Sequence, residues 1–175
     1  MKKYFIGVGI GIVVLILGFG IWSYNNPQAA IAMFFDMGGI EEGNSIPLVS
    51  GEEVSGGEVS LNQYKGEKFV VMIGKVDCDV CKKSYQTIEK LESEHPSTKF
   101  VMIGQGNQKE YARVKEEHGF VFPIISASED IQKKMNFKTF PVFYLVDQKG
   151  VITQRLNGYN KEKLQSLLKE GEVKK

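Results

Sequence analysis

The sequence predicts an α/β fold, a three-layer sandwich with a mixed central sheet, preceded by an N-terminal transmembrane helix. Three observations point to it. From Tyr4 to Trp22 every residue is apolar, aromatic or glycine. Beyond that run, short continuous apolar segments alternate with segments of helical spacing, as they do where helices cover strands on both faces. Late in the chain two apolar segments flank Gln148-Lys149-Gly150, which reads as a hairpin and makes part of the sheet antiparallel. With 175 residues, 42% of them hydrophobic, the chain is large enough for one core, and it contains no internal repeat.

No charge lies between Lys3 and Asp36, and a helix of about 20 residues over the apolar run is enough to cross a hydrocarbon layer about 30 Å thick. Residues 1–24 are accordingly assigned as a cytoplasmic N-terminus and membrane anchor. The positive-inside bias keeps Lys2 and Lys3 in the cytoplasm, with Trp22 and Tyr24 at the outer interface. The rest of the chain is then extracytoplasmic, in a single-pass protein of the cell membrane. The competing reading is a cleaved secretory signal, because Ala30-Ile31-Ala32 resembles a cleavage site; the apolar run, however, exceeds the roughly 7–15 residues of a signal core. Both readings export the domain. Gly7, Gly9 and Gly11 lie inside the run with no strand before them, and so read as membrane-helix glycines rather than a phosphate-binding loop. Setting Lys2 and Lys3 aside leaves one acidic residue in excess and no basic block, which argues against nucleic-acid binding.

Residues 25–45 mix small, polar and glycine residues around Met33-Phe34-Phe35 and are read as a tether near the membrane. The domain proper is assigned to 46–175. Ile46 to Leu61, with Gly56-Gly57 as a turn signal, predicts a small hairpin. Phe69 to Ile73 is an apolar strand, after which Cys81, Tyr85, Ile88 and Leu91 repeat at helical spacing until His95-Pro96 stops them. Phe100 to Ile103 is the next strand. Asn107, with Glu110 three residues on, is an N-cap signature for a helix that carries Tyr111 and Val114 and closes at Gly119. Phe122 to Ile125 is a short strand, and Ser128 caps a brief helix through Met135. Val142 to Val146 and Val151 to Leu156 form the late hairpin, and Leu164, Leu167 and Leu168 mark a last helix.

The chemistry concentrates at Cys78-Asp79-Val80-Cys81. A Cys-x-x-Cys pair where a buried strand gives way to a helix sets the first sulfur beside unpaired backbone N–H groups, which favour a thiolate, so Cys78 is the natural nucleophile. Cys81, about one turn further in, can attack a mixed disulfide made at Cys78 and release the partner in reduced form. A structural disulfide is the bland alternative, but a bridge across two residues closes too small a loop to restrain the unfolded chain much. A zinc site would need a close histidine pair, and His95 and His118 stand far apart in sequence. A cysteine hydrolase would need a histidine near Cys78 as base, and peroxidase chemistry fits the two-residue spacing less well than dithiol exchange. No metal or other cofactor is expected beyond the redox-active Cys78–Cys81 disulfide.

Phe69 to Ile73, Cys78-Asp79-Val80-Cys81, Phe122-Pro123, Thr139-Phe140-Pro141-Val142 and Asp147 through Gly150 together resemble the thioredoxin superfamily, over roughly Ile46 to Gly171. The anchor, the extra strand-helix unit between Phe100 and Gly119, and the acidic residue directly after the first cysteine are similar to the TlpA/ResA-like extracytoplasmic thiol-disulfide oxidoreductases. Methylamine-dehydrogenase accessory proteins are next in likeness. The resemblance implies a thioredoxin-like fold in which Pro141 is a cis-proline facing the cysteines and the backbone of Phe140 pairs with a bound substrate strand. It also implies Asp79 as a proton relay to or from the cysteines; a solvated acid that merely favours the helix dipole is the equal alternative. Two positions depart from the pattern: Asp77 stands where members usually carry Trp, and Val80 where many carry Pro. The strand Phe69-Val70-Val71-Met72-Ile73 also lacks the buried acid that thioredoxins keep there.

Asp77 and Asp79 put negative charge beside Cys78, which disfavours the thiolate and stabilises the disulfide relative to the dithiol; Lys75, Lys82 and Lys83 oppose this. The balance leans toward a reductant. The expected function is a thiol-disulfide oxidoreductase acting on exported thiol or disulfide proteins, for example in cytochrome c maturation, with electrons supplied by a transmembrane electron-donor protein. The alternative is a copper or client carrier using the same fold and cysteine pair without turnover, since copper(I) favours soft thiolates.

Overall fold

The computed structural model describes residues 2–27, 30 and 37–173, with side chains described for 11–27, 30 and 37–168. Ile31, Ala32 and the Met33-Phe34-Phe35 patch lie outside the described residues. The chain forms two units, Met1–Met37 and Gly38–Lys175. The first contains helix α1 (Lys2–Asn25), whose last carbonyls at Ile21 and Trp22 accept from the side-chain amides of Asn25 and Asn26 at 2.8 and 3.1 Å. Among the described residues no helix is long and apolar enough to cross a membrane.

The second unit contains the expected hairpin, β1 (Ser50–Glu52) paired antiparallel with β2 (Glu58–Ser60). Gly56 and Gly57 make its turn with φ of 105° and 88°, values that side-chain-bearing residues rarely adopt. A 3-10 turn (Leu61–Tyr64) leads into β3 (Phe69–Lys75), α2 (Asp79–Glu94), β4 (Lys99–Gln105) and α3 (Gln108–His118). Then come β5 (Ile124–Ser126), α4 (Glu129–Met135), β6 (Val142–Val146), β7 (Ile152–Asn157) and α5 (Lys161–Val173). The five-stranded sheet runs β5-β4-β3-β6-β7, parallel from β5 to β3 and antiparallel across β6 and β7, as the late hairpin predicts.

Each strand of the sheet's centre feeds two cores because its side chains alternate across the pleat. Val70 and Met72 of β3 meet Tyr85, Ile88 and Leu91 of α2 with Leu164, Leu167 and Leu168 of α5. Phe69, Val71 and Ile73 meet Ile131 and Met135 of α4 and the chain around Ile46, Val49 and Leu61. Hence all five residues from Phe69 to Ile73 are buried, and each contributes about 1.5–3 kcal/mol on burial. A charge at Val71 or Ile73 would break the middle of the sheet.

Local capping sets the helix ends. Asn107 Oδ1 accepts from Lys109 N at 2.9 Å, Ser128 Oγ from Ile131 N at 3.3 Å, and Gly119 closes α3 in the left-handed region. Residues 38–45, expected to be part of a tether, instead run along the free edge of β7. Gly43 N donates to Ile152 O at 2.8 Å and Ile152 N to Asn44 O at 2.9 Å. The reason is the edge itself, whose unpaired N–H and C=O groups demand partners.

Candidate active site

The strand-to-helix junction carries the cysteines. Chain leaving β3 turns at Lys75, whose carbonyl accepts from Cys78 N at 3.1 Å, and Cys78 becomes the N-cap of α2. Its sulfur accepts from Cys81 N–H at 3.1 Å, so one orphan donor of the first turn points at the reacting atom. Cys78 and Cys81 are joined as a disulfide, with Cα atoms 5.2 Å apart. The two sulfurs differ in access: Cys81 is fully buried in the core, whereas Cys78 is half-buried.

Asp79 is exposed in the first turn of α2, and Asp77 is exposed and paired with Lys75 at 3.1 Å. Both partners of that pair are solvated, so it takes little from the field at Cys78. Among the described residues, Cys81 sits in an apolar core cluster. Tyr85 and Tyr111 are buried there with hydroxyls that take no hydrogen bond, and burial pushes both phenols up, Tyr85 to about 12. Neither ionises near neutral pH. Ser84 Oγ, buried, donates to Cys81 O at 2.6 Å and braces the turn that holds the second cysteine.

Pro141 lies at the same end of the sheet as the cysteines, because β6 starts at Val142 opposite Ile73 of β3. The Phe140–Pro141 bond is cis, as the resemblance implies. Phe140 is partly buried and packs against both cores, its ring at 5.6 Å from that of Phe137. Pro141 O accepts from Gly158 N at 2.7 Å, which brings the chain after β7 beside the proline. Tyr159, next along, shares a 2.8 Å hydrogen bond with buried Thr87 of α2. The contributions of Thr87, Tyr159 and Gly158 carry no local sequence signal, since their partners lie in other elements.

The geometry is that of a dithiol exchanger: one accessible sulfur at a helix N-terminus, one buried sulfur a turn behind it, and a proline segment at the same end of the sheet. Comparison with known proteins agrees. The thioredoxin-like protein YneN of Bacillus subtilis is 24% identical over 157 residues, covering 87% of this chain and 88% of its own. A secreted disulfide oxidoreductase of Mycobacterium tuberculosis has the same fold, with a TM-score of 0.65 at 14% identity, over 70% of this chain and 96% of that one. So has the thioredoxin domain of a thiol-disulfide oxidoreductase of Bacteroides vulgatus, with a TM-score of 0.68 at 20% identity, over 75% and 98% of the two chains. The Redoxin family matches residues 41–170, which include the cysteine pair and the whole five-stranded sheet. The chain therefore belongs to the Redoxin family and is a thiol-disulfide oxidoreductase.

Proposed function

We propose that this oxidoreductase is a reductant of exported proteins, held at the outer face of the cell membrane by α1. The observation that carries the assignment of roles is the asymmetry of the pair, with Cys78 half-buried at the helix N-terminus and Cys81 enclosed behind it. In the reduced protein the Cys78 thiolate attacks one sulfur of a substrate disulfide. That bond breaks, a mixed disulfide forms at Cys78, and the first substrate thiolate leaves and takes up a proton. Cys81 then loses its proton and attacks Cys78 Sγ, closing the Cys78–Cys81 bond and releasing the second substrate thiolate. Two electrons pass to the substrate, and a transmembrane electron-donor protein must return them.

Asp79, exposed one residue after the nucleophile, is the candidate to exchange the proton with solvent, and Phe140 and Pro141 form the substrate groove. Apocytochrome thiols awaiting haem are one substrate class for such a reductant. Anchoring is supported by the uninterrupted apolar run and by side chains of α1 such as Leu15 and Ile21, which are 73% and 67% exposed and would be unfavourable in water.

The test is the reduction potential of the full chain, equilibrated with dithiothreitol or glutathione buffers and read by trapping free thiols. A value below about −230 mV supports the reductant, and one near about −120 mV makes the protein a disulfide donor instead. Cys78→Ser is expected to abolish exchange and Cys81→Ser to accumulate the mixed disulfide. Retention in the membrane fraction after alkaline carbonate washing tests the anchor; release would sink it. Stoichiometric copper after purification under reducing conditions, with no exchange activity, would restore the carrier reading.

A further inference from the structure

The edge of β7 carries a buried arginine that sequence reading leaves without a role. Arg155 has a side chain only 7% exposed. Its guanidinium donates through Nη1 to Glu41 Oε1 at 2.6 Å, through Nη2 to Gly38 O, and through Nε to Asn157 Oδ1 at 3.0 Å, while its backbone N donates to Glu42 Oε1 at 2.7 Å. Tyr144, its cross-strand neighbour, accepts from Ile40 N at 3.0 Å. Together they fasten residues 38–42 to the sheet.

Both ends of this fastening reach the proline segment. On one side Gly38 bridges Phe137, Gly39 N donates to Asn136 O, and the Phe137 ring packs on Phe140. On the other, Asn157 leads directly into Gly158, whose N–H donates to Pro141 O. The fit is tight: a Cβ at Gly39 would lie 2.5 Å from the Tyr144 hydroxyl and 2.8 Å from the Arg155 guanidinium, at a φ of 85°. A planar fork with several fixed donors suits such a hub, whereas a lysine ammonium cannot hold the same three acceptors in one plane.

We propose that Arg155 is a positioning residue for the substrate groove, setting Phe140 and Pro141 through the strap 38–42 on one side and through Asn157 on the other. The inference rests on the reading that Phe140 and Pro141 form that groove. Arg155 touches neither sulfur, so it acts on how a large substrate is seated and leaves the intrinsic reactivity of the pair alone.

The test compares the reduced full chain with its Arg155→Lys, Gly39→Ala and Phe140→Ala variants. Each is assayed against two disulfides: insulin, which must lie in the groove, and 5,5′-dithiobis(2-nitrobenzoate), which need only reach Cys78. The readout is the ratio of the two second-order rate constants, in which any loss of folded protein cancels. Arg155→Lys and Gly39→Ala are expected to lower the ratio about fivefold or more, with the reduction potential unchanged. A ratio unchanged in both variants, with Phe140→Ala lowering it, overturns the positioning role alone. A ratio unchanged in all three overturns the groove reading beneath it. Should Arg155→Lys fail to fold, Gly39→Ala carries the same test with the arginine in place.

Discussion

Both edges of the five-stranded sheet are covered by chain that precedes it, and each cover is pinned by one buried ion. At the β5 edge the β1–β2 hairpin is held by Glu53, whose side chain is 8% exposed. It accepts from Lys115 Nζ at 2.7 Å, Ile124 N at 3.2 Å and Ser55 N at 2.8 Å. At the β7 edge the strap is held by Arg155, equally buried but of opposite charge. What differs is where the bonds lead. Those of Glu53 end on α3, β5 and its own hairpin, none of which carries a reacting group, whereas those of Arg155 continue to Pro141. One device therefore stabilises at one edge and positions at the other, and mutation should separate the two effects.

Glu53→Ala is the largest expected break in stability. It strands the Lys115 ammonium, whose side chain is 20% exposed, together with the Ile124 N–H. Removing one partner of a buried pair leaves the other uncompensated, so urea unfolding should lose about 3 kcal/mol. The ratio of insulin to small-disulfide rates should stay as in the parent. If Glu53→Ala moves that ratio as far as Arg155→Lys does, the two edges are not functionally distinct.

Acidification should unlock the same edge. Burial alone would raise the Glu53 carboxyl, but hydrogen bonds from Lys115, Ile124 and Ser55 and the charge of Lys115 outweigh it and hold the group below its ordinary value of 4.5. A carboxyl depressed in the folded state contributes stability above its unfolded value and loses it as pH falls through its folded value. Glu53→Gln should therefore be less stable than the parent at pH 7, and the gap should close from about pH 4.5 downward. Urea unfolding at a series of pH values checks this; a gap constant with pH would mean that the carboxylate charge contributes nothing.

These two ions mark the limit of what the sequence makes legible. The ends of α2, α3 and α4 are written locally: Cys78, Asn107 and Ser128 each bond an N–H two or three residues on, and Gly119 needs only its own backbone freedom. The strands from Phe69 and Phe100 are legible because burial on both faces leaves an unbroken apolar run. Glu53 and Arg155 look like any surface ion, because their partners stand 62 and 114 residues away and nothing in the flanking chain signals burial. The strap failed to read as structure for the same reason: its bonds lead to Asn136, Phe137, β6 and β7, and Gly38-Gly39-Ile40-Glu41-Glu42 carries neither strand nor helix periodicity. The cysteine pair lies between these cases. Its chemistry is local, while Pro141 comes to the same end of the sheet through the β3–β6 register.

A smaller effect probes the boundary between holding and positioning. Tyr159→Phe removes the hydrogen bond to Thr87, whose hydroxyl is then buried without that partner. Stability should fall by about 1 kcal/mol. Because Tyr159 follows Gly158, the insulin to small-disulfide ratio should move in the same direction as for Arg155→Lys but by less than about twofold. A shift as large as that of Arg155→Lys would place the positioning contact on α2 rather than on the strap.

The smallest expected effect returns to the β5 edge, where a second carboxylate stands. Glu92 of α2 lines an open cleft with Tyr64, Lys99 and Val121. Burial raises it, opposed by the N–H groups of Val121 and Phe122 and by the charge of Lys115. A carboxyl raised in the folded state contributes stability below its unfolded value and loses it as pH rises through its folded value, so at pH 7 the ionised group is a small burden. Glutamine keeps an acceptor for both N–H groups and carries no charge. Glu92→Gln should therefore stabilise the protein at pH 7, by less than about 1 kcal/mol, and have no effect near about pH 4. The two carboxylates share Lys115, so the gain should shrink or reverse in a Glu53→Ala background, where Glu92 is left to offset the charge of that lysine. An identical gain in both backgrounds would show that Lys115 serves Glu53 alone and that the edge is pinned by a single pair.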